Sequence, residues 1–260
     1  MEPRRSEVIV LRSLPYGEDD LVVTFFCREG GLLRGFAPHG RKSRKRFGAT
    51  LSPFAGILLQ WSAAKGSLVR MKEAELLDLR AELRTSLPAL ALAGYGCELV
   101  GKILPHEEGS PEIYGLLRAY LDSLCRQGPR IETRMLFELR LLKLCGYEPH
   151  LLHCSRCLEG FSGAQARFDA SCGGSLCGAC AAEGQGMAVS AGTLGSLSRC
   201  LATPLEAFEG FRFGPLTLAE GSALLADCVR SHLHGALKSL GFLERVMPQP
   251  QGGGSRSNSP

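Results

Sequence analysis

The sequence predicts an α+β protein: a small five-stranded closed β-barrel first, then an all-helical domain with a cysteine-rich insertion. Three observations carry this. The first eighty residues alternate short β-favouring runs with Gly and Pro turns. From residue 87 the apolar residues recur at helical spacing. Two Cys-x-x-Cys pairs then interrupt the helical part.

The strands come in order. Residues 7–12 are an apolar run with charged ends, and residues 21–26 read Leu-Val-Val-Thr-Phe-Phe, strongly β-favouring. Gly30-Gly31 supplies a turn into a third strand over residues 32–37, which Pro38 and Gly40 end. Residues 54–61 and 67–73 complete five strands, with Lys65-Gly66 between the last two. Five strands at this spacing suit an OB-type barrel, in which closure removes exposed edges; SH3-like barrels give a similar pattern. Glu18-Asp19-Asp20 lies between the first two strands and reads as a solvated loop, because nothing nearby supplies further cation ligands.

The helices follow. Residues 87–104 are rich in Ala and Leu, and Pro105 stops them. Ser110-Pro111-Glu112 places an N-cap, a proline at the first helical position and an acid in the first turn of a helix through Leu124. Gly128-Pro129 separates it from a helix over residues 131–144, where Ile131, Met135, Leu139 and Leu142 share a face and Gly146 is a C-cap. Residues 189–201 form another helix. Thr217 and Glu220 make a capping box that opens a long helix through Leu240, with His232 and His234 on different faces. Residues 248–260, rich in Gly and Ser, are expected to be disordered.

Cys154-x-x-Cys157 and Cys177-x-x-Cys180 have the spacing of a structural zinc site. Each tight turn brings two thiols to one side, and two turns complete a tetrahedron. With four cysteines no position is open for a catalytic water. Cys172, His150 and His153 are nearby substitutes. Cys27, Cys97, Cys125, Cys145, Cys200 and Cys228 fall in strand or helix patterns and read as core.

Charge is unevenly placed. Residues 1–80 hold 14 basic and 9 acidic side chains, whereas residues 81–260 hold 16 and 17. Residues 30–72 contain no Asp or Glu but nine cations: Arg34, Arg41, Lys42, Arg44, Lys45, Arg46, Lys65, Arg70 and Lys72. A merely solvated surface mixes both signs, and a bound polyanion would relieve the mutual repulsion of the five that crowd into residues 41–46. They are the candidate DNA-binding residues. Contacts to phosphate carry no sequence information, so binding should tolerate any sequence. Phe36, Phe47 and Phe54 suit either base stacking or the barrel core. The N-terminus lacks the apolar stretch of a signal peptide, and no run reaches the roughly 18 apolar residues of a membrane span. The expected location is therefore cytoplasmic; association with the nucleoid is expected only if the chain binds DNA.

The chain resembles the RecO family of bacterial DNA repair and recombination-mediator proteins over residues 5–245. The pieces that carry the resemblance are residues 7–12, Tyr16-Gly-Glu-Asp-Asp20, Pro38-His-Gly40 with its basic run, residues 137–142, Gly146-Tyr-Glu-Pro149, and the cysteine quartet with Phe168 and Gly173-Gly174. The resemblance implies an OB-fold over 1–80, a helical domain over 81–149 and 183–247, and a zinc-binding insertion over 150–182. It further implies binding to ssDNA and dsDNA, annealing, pairing with RecR, binding of the acidic C-terminal tail of single-stranded DNA-binding protein (SSB), and help in loading RecA. Some family members lack the cysteines, which marks the metal as structural. Cys172 is a departure from the family pattern. Two other readings differ in class. One is a zinc-containing scaffold whose basic loop docks acidic peptides. The other is a zinc-dependent nucleic-acid-processing enzyme, against which count the closed cysteine set and the lack of an H-x-E or Walker motif.

Overall fold

The computed structural model describes residues 3–43, 45–63, 68–104, 109–161, 163–233 and 235–247. Arg44, Lys65, His234 and the tail at 248–260, all subjects of expectations above, lie outside them. The chain divides into two compact units, one running to Pro129 and taking in Leu237–Leu243, the other formed by Arg130–Ala236 with the residues from Glu244 on.

In the first unit β1 (Arg4–Tyr16), β2 (Asp20–Cys27), β3 (Gly31–Ala37), β4 (Gly56–Ser62) and β5 (Val69–Asp78) close a barrel in the order β1-β2-β3-β5-β4. The β3–β5 pair is parallel and the others antiparallel, which is the OB arrangement. Val8, Val10, Val23, Phe25, Ile57, Leu59, Trp61 and Met71 fill the interior. Gly35 lets β3 approach closely, because a Cβ there would stand 2.7 Å from Met71 Cγ and 3.0 Å from Phe25. Two strands run longer than their apolar runs suggest. β1 continues to Tyr16 and β5 to Asp78.

A bulge in β1 governs what this barrel shows to solvent. Val10 pairs with Phe25 but Arg12 with Thr24, leaving Leu11 as the extra residue. Before it, Val8 and Val10 point inward. After it the phase inverts, so Ser13 stands opposite inward-facing Val23 while Arg12, Leu14 and Tyr16 turn outward.

Two helices cover part of the outer wall. α1 (Leu87–Ile103) starts where Ser86 Oγ accepts the N–H of Ala89. α2 (Pro111–Gln127) starts where Ser110 Oγ accepts the N–H of Ile113 at 3.2 Å, with Pro111 at the first position as its sequence predicts. Tyr120 on α2 donates its hydroxyl to Leu92 O on α1 at 2.8 Å. Phe26, fully buried on the outer side of β2, packs 6.1 Å from the ring of Tyr114. Arg80, only 3% exposed, bonds Phe54 O at 2.7 Å and Asp122 at 2.8 Å, tying the end of β5 to α2.

The second unit is built on α3 (Ile131–Leu144), whose residues 133–142 are all buried. The expected single apolar face is thus a helix covered all round, and its polar side chains are paired inside. Arg134 bonds Glu138 at 2.8 Å. Arg140 bonds Leu205 O and Thr203 Oγ1 and lies 5.0 and 5.5 Å from the ring centres of Phe208 and Phe211. Burial pushes its guanidinium down to about 10. Gly146, at φ +79°, ends α3 in a Schellman motif, with Tyr147 N bonded to Leu142 O and Gly146 N to Lys143 O.

β6 (Gln165–Asp169), β7 (Gly174–Leu176) and β8 (Met187–Ser190) form a three-stranded sheet in the order β7-β6-β8. α4 (Ala191–Leu201), α5 (Pro215–His232) and α6 (Leu240–Val246) follow. Two expectations fail in α5. Its N-cap is Gly214, with Pro215 at the first turn, so Thr217 and Glu220 lie inside the helix. Glu220 instead accepts from Ser190 N and Oγ at 3.1 and 2.7 Å, fixing the start of α4. Burial works to raise the Glu220 carboxyl, and the bonds from Thr193 and Ser190 outweigh it, leaving it below its usual range. The helix also stops at His232, because Leu233 turns extended, so it does not continue to Leu240. His232 is stacked on Tyr147, rings 4.0 Å apart and 8° from parallel.

Candidate nucleic-acid interface and metal centre

The basic segment is a folded loop joining β3 to β4. Phe47 and Leu51 drop into the barrel core, and Phe54 is buried too. Arg46 is spent on the loop itself. It bonds Ser43 Oγ at 3.1 Å and Pro38 O at 2.7 Å and covers the Phe47 ring at 5.2 Å. The Glu18-Asp19-Asp20 turn, read above as solvated, fastens the other end. Arg41 bonds Glu18 O at 2.9 Å, Lys42 pairs with Asp19 at 2.7 Å, and the His39 N–H meets Asp20 at 2.7 Å. A bond to a carbonyl leaves the Arg41 charge uncompensated, whereas Lys42 shares its charge with Asp19. Lys45 is exposed and forms no ion pair among the described residues.

Of the remaining candidates, Arg34 on β3 and Arg70 and Lys72 on β5 are exposed and also form no ion pair among the described residues. Strand register brings two of them to one outer face. Arg34 stands opposite Thr24, and Thr24 opposite Arg12; Arg70 stands opposite Phe36. Arg12 was not among the sequence candidates and joins them here. So does Tyr16, which is 60% exposed and meets Phe36 edge-to-face at 5.9 Å. Beyond standing in pieces that carry the family resemblance, their signal in the sequence is alternation along β1, and the Leu11 bulge reverses it.

Arg12 and Arg34 also line a cavity of about 660 Å³ in the first unit, with Leu11, Leu32, Cys97 and Lys238. Glu98, its one acid, accepts from the N–H groups of Lys238 and Ser239 at 2.9 and 2.7 Å and pairs with Lys102. Burial alone would raise this carboxyl; the Ser239 hydroxyl, the two N–H groups and Lys102 outweigh it and hold it below its usual range.

The metal centre lies in the second unit. The sulfurs of Cys154, Cys157, Cys177 and Cys180 all lie within 4.8 Å of one another and could hold a metal ion. Each pair sits on a tight turn, closed by Leu158 N to Cys154 O at 2.9 Å and Ala181 N to Cys177 O at 2.9 Å. Leu158 takes φ +64° to make the first turn. Burial pulls the Cys154 thiol up, but the N–H groups of Cys157, Cys177 and Arg156 overcome this and hold it at about 6. Its thiol neighbours Cys177 and Cys157 push Cys180 up to about 12.

The nearby substitutes are engaged elsewhere. His150 Nδ1 and His153 Nε2 face one another at 2.6 Å. Cys172 Sγ accepts from Gln185 at 3.1 Å and from Arg156 at 3.5 Å. Asp169, held down at about 2 by Ser171 and Gln185, braces the turn that carries Cys172. Cys27, Cys97, Cys200 and Cys228 are core, while Cys125 and Cys145 are half-buried. Burial raises the last two to about 11.

Fold and site define a class: an OB-barrel protein with an attached helical unit that carries a four-cysteine centre. Among the described residues no helix is long and apolar enough to cross a membrane. Residues 1–80 match the family described as Recombination protein O N terminal, and residues 84–241 the one described as Recombination protein O C terminal. A protein of Syntrophotalea carbinolica named DNA repair protein RecO is 45% identical over 247 residues, covering 95% of this chain and 96% of the relative. Those of the same name from Geobacter metallireducens and Myxococcus xanthus are 36% and 32% identical; each match covers 95% of this chain and 100% and 99% of the relative. The chain belongs to the RecO family of DNA repair proteins.

Proposed function

We propose that this chain is a non-enzymatic recombination mediator that binds ssDNA and dsDNA through its barrel, anneals complementary strands, and helps RecR load RecA onto SSB-coated DNA. The observation that carries this is the outer face of β1, β2, β3 and β5, where Arg12, Arg34 and Arg70 converge without carboxylate partners among the described residues. Arg41, Lys42, Lys45 and Lys72 extend the cationic surface; Arg44 and Lys65, which lie outside the described residues, are further candidates for phosphate contact. Neutralising two strands at once removes the repulsion that opposes annealing. The barrel over 1–80 carries the DNA, while the helical residues at 81–149 and 183–247 recruit RecR and the SSB tail. The protein acts in the cytoplasm, on the nucleoid.

Zinc is the metal that suits the quartet. A ZnS4 tetrahedron with Zn–S bonds of about 2.3 Å has edges of about 3.8 Å, and Cys157 Sγ stands 3.8 Å from Cys177 Sγ. When bound, the ion supplies folding free energy to the ribbon over 150–182 and no chemistry. The test is a strand-annealing assay on SSB-coated DNA with the triple variant Arg34→Ala/Lys45→Ala/Arg70→Ala, three exposed cations that form no ion pair among the described residues. Annealing should fall while the urea midpoint stays put. Undiminished annealing would count against the reading, as would strand cleavage by the pure protein.

A further inference from the structure

We infer that Tyr16 and Phe36 form a base-stacking step on the outer face of the barrel, which makes this face take an unpaired strand in preference to a duplex. The inference rests on the DNA-binding reading and adds to it a contact with bases. Three rows cross the face. Arg12, Thr24 and Arg34 stand opposite one another on β1, β2 and β3. Leu14, Val22, Phe36 and Arg70 form the next row, and Tyr16 pairs with Asp20 beyond it. Adjacent strands lie about 4.8 Å apart, so Arg70 is the cross-strand neighbour of Phe36, and Arg34 lies two residues before Phe36 on its own strand.

The chemistry of the occupant follows from this pattern. Tyr16 is 60% exposed and lies at 88° to the Phe36 ring rather than stacked on it, which leaves ring surface open to a ligand. Leu14, at 38% exposed, continues the apolar strip. Asp20 accepts the His39 N–H and Asp19 pairs with Lys42, while the exposed Glu18 carboxylate leaves one acid at this end. An apolar aromatic strip flanked by Arg12, Arg34 and Arg70 is complementary to a chain that alternates flat rings with phosphates. Bases of a duplex are stacked on each other and offer no free ring face. An unpaired strand offers one at every nucleotide.

The test compares three probes at one salt concentration: oligothymidylate, an abasic strand of the same length, and a duplex. The wild type should prefer oligothymidylate over the abasic strand. Tyr16→Ala should weaken oligothymidylate binding roughly 5- to 30-fold, and change the other two probes less than about twofold. Tyr16→Phe, which keeps the ring, should behave as wild type. Its normal behaviour beside a folded Tyr16→Ala protein ties the effect to the ring. If wild type binds all three probes in a salt-dependent way with no preference for bases, this inference fails alone. The same holds if Tyr16→Ala weakens all three equally. Binding to none of them would overturn the DNA-binding reading as well.

Discussion

Lys45 and Arg46 are neighbours in the most basic stretch of the chain, yet their substitutions should have opposite signatures. Lys45 is exposed and forms no ion pair among the described residues. Lys45→Ala should leave stability within about 0.5 kcal/mol of wild type. If Lys45 meets a phosphate, the slope of log affinity against log salt should flatten by about 0.7 for a single strand. Arg46 is half-buried, with charged hydrogen bonds to Ser43 Oγ and Pro38 O and a ring beneath it. Two such bonds and a cation–π contact, discounted for partial exposure, come to about 2–3 kcal/mol. The loop it holds also carries Phe47 and Leu51 into the barrel core. Arg46→Ala should therefore lower the urea midpoint clearly and move the salt slope little. Urea unfolding and a salt titration of oligonucleotide binding on both variants decide the matter. If Arg46→Ala keeps full stability and flattens the slope as Lys45→Ala does, the anchoring role is wrong.

Arg80→Met should destabilise the first unit by about 2–4 kcal/mol, because it strands Asp122 and Phe54 O without their partner; Asp122→Asn should cost less, since Arg80 keeps the carbonyl. Chelation should unfold the ribbon over 150–182, seen as amide exchange across β6 and β7, and leave exchange in the barrel unchanged; elemental analysis of the untreated protein should return one metal ion per chain. Glu98 is held below its ordinary 4.5 by Ser239, Lys238 and Lys102 against the opposing effect of burial. A depressed folded value means its stabilisation is complete above about pH 4.5 and disappears as pH falls through the lower folded value. The stability gap between wild type and Glu98→Gln should accordingly close in acid, and a gap that widens there would refute the assignment.

The parts of the fold set by local chemistry were legible in the chain. Ser110-Pro111-Glu112 opens α2 as read, because the cap, the proline and the first-turn acid all act within one turn. Gly146 ends α3 for the same kind of reason. The four cysteines converge as their spacing requires. Errors arise where a partner distant in sequence claims the side chain. Thr217 and Glu220 have the spacing of a capping box, but Pro215 starts the helix earlier and frees Glu220 for Ser190, thirty residues back. Arg134, Glu138 and Arg140 look like the wet side of an amphipathic helix. Each finds a buried partner that periodicity cannot register.

The candidate interface shows the same limit more sharply. Counting cations along the chain finds the loop at 41–46 at once, yet it overvalues Arg46 and Lys42, whose bonding is decided by Ser43, Pro38 and Asp19. It also passes over Arg12 and Tyr16. Strict alternation from Val8 and Val10 would send both into the barrel, where a guanidinium could not be solvated. The chain avoids that by inserting Leu11 as a bulge, and the one-residue slip turns Arg12, Leu14 and Tyr16 to the outside while Ser13 goes in. The bulge follows from a conflict already present in the sequence: thirteen residues of one strand, of which the first half needs its even positions buried and the second half needs them wet. A strand that long with a charged residue on its buried phase must slip or break. Finding such phase conflicts is how outward-facing residues of this kind can be found without coordinates.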